Sequence, residues 1–569
     1  MQTGLATADY IVMAGFFAAL LAVGLFYAGR MRNLRDFFSG NRQVPWWLAG
    51  ISLYMTTFSA FTFVSYSALA YQYGLVAVSI WWFSIPGCLL SAWFLASRWR
   101  RAATTSPVEY LETRFSPLLR QCFSWFGLPL LVLDDALKLF VIGTMVAVSV
   151  GVEGDAGILW AIGVCGGLIL VYTLLGGLWA VLITDFIQFI VMGTAVLVLA
   201  PLALFRAGGF EAVATHAPEG FAHITAGDYT WPWLLSFSVI LALTYATKWP
   251  YVQRYYAARS DREARWVGYL VAALMVVAPP LLFFPALAAR VFLPGVTDFN
   301  EVYPLLCQTL LPAGMMGVLL AAMFSATMSM LSSDYNALAS VITNDIIKRL
   351  FLPNASDRAL VVTARLATVA AGGLAMALAM AFAGAEDLED LVKYMARLFA
   401  ALLPPVALPM MAGLLSRRTS NAGALAGFVL GAACGIAAYV ASQYDGYAHW
   451  GTVPWLTWAT ILPTAAGLVA GSLIFPNNTE KQARVLLFLE GLRGNRREKV
   501  ALTAGGDAAV ALRVIGLSTA MIGAALVLGV LFTGVAGDAL LSVFVGVVLL
   551  MGGGLATATS FRSAVAREE

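Results

Sequence analysis

Apolar stretches of about twenty residues follow one another along this chain, separated by short polar segments, and each is long enough to cross a bilayer as a helix. Fifteen can be read: 6–29, 45–72, 75–97, 119–148, 157–180, 183–205, 231–256, 266–290, 312–343, 361–383, 391–414, 421–441, 455–475, 511–532 and 538–557. The pattern predicts an all-α integral membrane protein with about 15 transmembrane helices. The first span is too long, and too weakly basic at its start, to be a cleaved signal peptide. Composition agrees: 60% of residues are hydrophobic and 11% charged, a balance foreign to soluble domains.

Charge matters through its distribution rather than through its net value of +3. Arg30, Arg32, Arg35 and Arg42 follow the first span, Arg98, Arg100 and Arg101 the third, and Arg254, Arg259, Arg262 and Arg265 the seventh. Lys348 and Arg349 follow the ninth span, Arg417 and Arg418 the eleventh, and the 476–510 loop adds Lys481, Arg484, Arg493, Arg496, Arg497 and Lys499. The alternate loops are poor in Lys and Arg and hold Glu153, Asp155, Glu211, Glu219, Asp228, Asp298, Glu301, Glu386 and Asp387. Positive loops stay cytoplasmic, so the N-terminus is expected outside and the C-terminus inside, with a bacterial inner membrane as the expected location.

A few ionisable residues interrupt the apolar stretches: Asp134, Asp135, Lys138, Asp185, Lys248, Asp334 and Arg397. Charge in hydrocarbon is costly, so such groups face a protein interior or a watery cavity and mark an ion or solute path, unless they only pair with one another. The five cysteines are scattered singly and the three histidines lie in loops, which argues against a disulfide framework and a histidine metal centre. The absence of a Gly-Lys-Ser/Thr phosphate loop argues against an ATP-driven pump. No cofactor and no enzymatic activity are expected. The expected partners are a small-molecule solute and the lipid bilayer, not a nucleic acid.

Four segments carry a resemblance: Gly176 to Phe189 (GGLWAVLITDFIQF), Tyr251 to Arg265 (YVQRYYAARSDREAR), Ser106 to Phe115 (SPVEYLETRF) and Met323 to Arg349. Together they resemble the sodium/solute symporter family, which includes bacterial sugar, proline and sialic acid symporters, over about residues 5–475. The resemblance implies a LeuT-like core of five-plus-five inverted repeats, at 45–205 and 231–414, with the first helix of each repeat broken at midplane where solute binds. The 6–29 span precedes this core and peripheral helices at 421–557 follow it, all in one transporter domain. Span 45–72 is rich in hydroxyl residues and 231–256 contains Lys248 and Pro250, as loosened helices with free backbone carbonyls would be.

The same resemblance implies a sodium site, held by the carbonyls of Met55, Phe58 and Ala322 with a hydroxyl pair at 325 and 326. Ser325 matches; Ala326 offers no side-chain oxygen. A second sodium site would use Asp185, Ser325 and Ser329, the two serines sharing a helix face at i, i+4. Sodium is the expected coupling ion, with a proton on Asp185 as the alternative. At positions where sugar-binding relatives hold hydroxyls, this chain has Thr62, Trp81 and Met275, with Ser84 matching, Asp135 or Asp134 on the third core helix and Lys248 on the sixth; Arg397 stands beside the tenth-helix position. Two accounts of the cations remain open. Lys248 and Arg397 grip the carboxylate of an anionic or zwitterionic solute, or Lys248 pairs with Asp134 or Asp135 and Arg397 with Asp334. The expected function is secondary active transport; a solute sensor built on the same fold is the alternative.

Overall fold

In the computed structural model, residues 5–565 are described apart from 29–37, 103, 153, 298, 383–390, 445, 494–504 and 534–538. Of the loop charges named above, Arg30, Arg32, Arg35, Glu153, Asp298, Glu386, Asp387, Arg496, Arg497 and Lys499 lie outside the described residues. Eleven described helices are long and apolar enough to cross a membrane, and two bent pairs bring the number to 13. The remaining two expected crossings are an helix with three ionisable residues at its centre and one divided at Lys248.

The elements run in order as α1 (Thr7–Ala28), α2 (Trp46–Met55), α3 (Ala60–Tyr73), α4 (Val76–Ala102), the short α5 (Tyr110–Arg114), α6 (Pro117–Val150), α7 (Gly154–Leu174) and α8 (Gly177–Ala207). They continue as α9 (Trp231–Thr247), α10 (Trp249–Ala257), α11 (Asp261–Phe292), α12 (Met315–Phe351), α13 (Asp357–Phe382), α14 (Leu391–Leu402) and α15 (Pro404–Leu415). Four apolar helices and one more polar one close the chain: α16 (Asn421–Ala441), α17 (Val453–Ile474), the polar α18 (Thr479–Arg493), α19 (Gly505–Thr533) and α20 (Ala539–Val565).

The boundary between the fifth and sixth spans falls at Gly177, earlier than the apolar pattern places it. Gly177 takes φ +54°, a left-handed conformation open to glycine and costly for other residues. α12 is the most deeply enclosed of the eleven unbroken spans among the described residues, 89% buried over its most apolar window, and it packs on α8, α6 and α1. Its start is capped from another helix. Asp9 of α1 accepts the backbone N–H groups of Gly314 (2.9 Å) and Gly317 (2.7 Å), satisfying donors that a helix N-terminus leaves free and placing negative charge at the positive end of its dipole. At the opposite end of the molecule, buried Arg114 of α5 donates to the carbonyls of Gly413, Ser416 and Thr419 at 2.8–3.0 Å, closing the C-terminus of α15 by the complementary logic. α16 and α17 approach closely through small residues: a Cβ on Gly431 would stand 1.9 Å from the Thr464 hydroxyl, so glycine there sets the helix spacing.

Candidate functional site: a midplane cavity between interrupted helices

Three expected spans are interrupted inside the bundle. α2 and α3 meet at 61° across Thr56–Ser59, and α14 and α15 at 52° at Leu403. α9 gives way to α10 at Lys248, whose ψ of 127° leaves the helical region just before Pro250, which can only start a new helix. The freed backbone groups at the first break are met by side chains. The Ala60 N–H donates to Thr327 Oγ1 of α12 at 2.8 Å, and the Ser59 N–H to Thr62 Oγ1 at 3.3 Å. A cavity of about 150 Å³ opens beside this break, lined among others by Thr57, Ser59, Thr62, Trp81, Ser84, Asp134, Lys138 and Phe399. Trp81 forms one wall, stacked on Phe58 with centroids 4.6 Å apart. The Ser84 hydroxyl donates to the Trp81 carbonyl at 2.6 Å.

Behind the cavity lies a fully buried cluster of five charges. Lys138 Nζ stands 2.6 Å from Asp134 Oδ2, 3.1 Å from Asp334 Oδ2 and 3.5 Å from Asp135 Oδ1. Lys248 Nζ stands 2.9 Å from Asp134 Oδ2 and 3.8 Å from Asp334 Oδ2. The geometry fits the internal-pairing account for Lys248: it meets Asp134, one of its two expected partners, and Asp334 in place of Asp135, while among the described residues the cation nearest Asp135 is Lys138. Lys248 faces the carboxylates rather than the cavity, and Asp135 does not line the cavity either. The charged part of the cavity wall is supplied by Asp134 and Lys138.

Arg397 departs furthest from expectation. It is not paired with Asp334; it lines a separate polar cavity of about 280 Å³ with Asp228, Trp233, Lys393 and Thr452. Lys393 Nζ approaches Asp228 Oδ2 at 2.5 Å. That ammonium, with Arg397 further off, holds the Asp228 carboxyl below the usual carboxylate range.

A second polar cluster joins α2, α8, α10 and α12. Arg254, which the charge pattern assigns to a cytoplasmic loop, is fully buried. Its Nη2 lies 3.4 Å from Asp185 Oδ2 and donates to Ser333 Oγ at 2.5 Å, and its Nε donates to Ser52 Oγ at 3.0 Å. Ser52 in turn donates to Asp185. Asp185 Oδ1 and Ser329 Oγ are buried and make no close hydrogen bond, and the two side chains stand near enough to interact with each other. The structure thus brings together Asp185 and Ser329 of the expected cation ligands. Ser325 is different: its hydroxyl donates to the Ala321 carbonyl one turn back at 2.6 Å. The α12 hydroxyls that reach the α2–α3 segment are those of Thr327 and Ser333, the latter 3.4 Å from Thr56 Oγ1. The Met55 carbonyl accepts the Phe58 N–H at 3.1 Å within the turn itself.

Sequence reasoning missed Ser52, Arg254, Thr327 and Ser333. The first and last two are hydroxyls among many in their helices. Arg254 reads in the sequence as the start of a basic loop, whereas the structure encloses the whole of α10, Trp249 to Ala257.

Comparison with known proteins agrees with this architecture. The model of the sodium:solute symporter family matches residues 37–431. The sodium/sialic acid symporter NanT of Aliivibrio fischeri is 27% identical over 390 residues, covering 64% of this chain and 75% of the relative. The sodium/glucose cotransporter of Vibrio parahaemolyticus is 27% identical over 466 residues, covering 75% and 84%. Among solved structures, the substrate-bound outward-open state of a Na+-coupled sialic acid symporter superposes with a TM-score of 0.72 at 24% identity, over 82% of this chain and 98% of the other. That likeness shows a LeuT-like transporter fold.

Proposed function

The chain belongs to the sodium:solute symporter family, and from that premise we propose that it is a sodium-coupled symporter of a small polar organic solute, working by alternating access. The observation that carries this reading is the cavity at the α2–α3 break, with hydroxyls, an aromatic wall and the Asp134–Lys138 pair on its surface. Such a lining suits a solute bearing hydroxyls together with a carboxylate or a zwitterionic group: Lys138 offers a point charge to an anion and Asp134 accepts from donors. Relatives named for sialic acid and for glucose span that chemical range. We assign the solute site to Thr62, Trp81, Ser84, Asp134 and Lys138, and remove Lys248, Asp135 and Arg397 from direct contact. Two inverted repeats at 45–205 and 231–414 would rock about this site.

For the cation, we assign Asp185 Oδ1 and Ser329 Oγ, neighbouring buried oxygens that make no close hydrogen bond, as side-chain ligands, since sodium takes oxygen donors as other hard cations do. The protein is placed in a cytoplasmic membrane with Arg-rich loops inside. The test is uptake into proteoliposomes of a radiolabelled panel (sialic acid, uronates, monocarboxylates, neutral sugars, amino acids) with an inward sodium gradient, with a pH gradient alone, and with neither. Accumulation of one solute that collapses without sodium is expected. Uptake that ignores sodium and follows pH would transfer coupling to a proton.

A further inference from the structure

The five-charge cluster behind the cavity does not balance. Three carboxylates, Asp134, Asp135 and Asp334, face two ammonium groups, Lys138 and Lys248. Arg397, the cation whose pairing with Asp334 would have closed the count, lines the other cavity. Adding the neighbouring Arg254–Asp185 pair leaves the excess of one negative charge unchanged. The excess is local to one residue. Asp135 is 0% exposed, neither of its oxygens accepts a hydrogen bond, and its nearest cation is Lys138 at 3.5 Å. Asp334 Oδ1 is likewise buried and unpartnered. Oxygens of Asp134, Asp135 and Asp334 all lie within 4.8 Å of one another. The remaining ionisable groups facing the cluster are Tyr335 from α12 and Tyr251 and Arg254 from α10.

We propose that Asp135 and Asp334 share one bound proton, forming a proton site in the wall behind the solute cavity that is separate from the cation site at Asp185. Three arguments converge. A proton from water that adds to a carboxylate oxygen of Asp135 supplies the missing positive charge. It also turns an acceptor without a donor into a donor, giving Asp334 Oδ1 the hydrogen bond it lacks; two close carboxylates in a dry site commonly hold one proton between them. A metal ion fits less well, because hard cations take about six oxygen ligands and the two lysine ammonium groups already occupy the approach to these carboxylates. Because Asp134 and Lys138 belong both to this cluster and to the cavity wall, the site touches the solute-binding surface through shared ion pairs.

The proposal goes beyond the transport reading and is tested without transport, so failure of sodium-coupled uptake and failure of this site are distinguishable. Infrared spectra of the purified full chain at neutral pH should contain a carboxylic-acid C=O band that shifts in deuterium oxide. Asp135→Asn should remove one acid group from that band and leave the carboxylate bands unchanged. Aspartate-selective 13C labelling of the wild type, which needs no variant, should shift the same band. Loss of carboxylate absorption, rather than acid absorption, in Asp135→Asn would overturn the proposal. So would a labelled wild type without an aspartic-acid band, or one equivalent of sodium or calcium lost from the variant with no change in that band.

Discussion

The guanidinium of Arg254 stands 3.4 Å from the carboxylate of Asp185, both side chains being completely enclosed, while Ser52 and Ser333 bridge the pair to α2 and α12. The Arg-Asp contact neutralises a carboxylate that the proposed function needs for sodium. Only Asp185 Oδ1 is left over for an ion. Asp185→Asn should therefore do two separable things. It should leave Arg254 buried without a counter-charge, a change that typically costs about 3–5 kcal/mol, and it should cut sodium-driven uptake roughly tenfold or more. Asp185→Asn combined with Arg254→Gln should recover the melting temperature and not the uptake. Recovery of sodium dependence in that double variant would show that Asp185 is a structural partner only.

Lys248 gives a cleaner separation of pairing from solute contact. Its ammonium is held between Asp134 at 2.9 Å and Asp334 at 3.8 Å. Lys248→Met should lower the melting temperature, because it takes the counter-charge at 2.9 Å from Asp134 and adds one negative charge to the cluster. Lys248→Met with Asp134→Asn should restore most of the lost stability, although Asp134 also lines the cavity and solute affinity should stay reduced. A Lys248→Met protein of unchanged stability that has lost solute binding would instead put Lys248 on the solute.

Much of this architecture was legible because hydrocarbon enforces it. Spans had to be apolar and about twenty residues long, so helix positions followed from the hydrophobic pattern, and buried charge stood out against it at Asp134, Asp135, Lys138, Asp185, Lys248 and Asp334. What the pattern could not supply was partnership. Asp134, Asp135 and Lys138 share one helix, and that Asp334 stands against this helix rather than beside Arg397 depends on helix rotation and on the height of α12, which are tertiary facts. Arg397 and Arg254 show the same limit from opposite sides. One lies at the edge of the bundle although its neighbours are apolar, and the other lies inside although its neighbours read as a basic loop. Ser325 and Ser329 share a helix face, yet only Ser329 stands beside Asp185, because four residues are a whole turn of rise.

The loop assignment has a direct chemical check. In a cysteine-free background, Arg484→Cys on the exposed surface of α18 and Glu219→Cys in the 206–230 loop should label from opposite sides with an impermeant thiol reagent, the first from the cytoplasm and the second from outside. Labelling of both from outside in intact cells would break the orientation and the span count together.

Glu112 provides a pH-dependent prediction outside the membrane spans. Arg349 donates to Glu112 Oε1 at 2.7 Å and Arg120 to Oε2 at 2.6 Å, while Arg120 also pairs with Asp345 of α12 at 2.5 Å. Partial burial pushes the Glu112 carboxyl up, and the bonds from Arg349 and Arg120 outweigh that effect and hold it below the ordinary glutamate range. A carboxylate lowered in the folded state stabilises the fold at pH values above the unfolded value of about 4.3, and the contribution disappears as pH falls through the folded value. Glu112→Gln should therefore reduce stability by about 1 kcal/mol near neutral pH. The gap to wild type should stay constant between about pH 6 and 8 and close below about pH 4. Thermal unfolding of both proteins across that range measures the gap directly. A gap that widens on acidification would mean that Glu112 is stabilised in its protonated form, and that the Arg120–Glu112–Arg349 contacts do not tie α5 to α6 and α12 in solution.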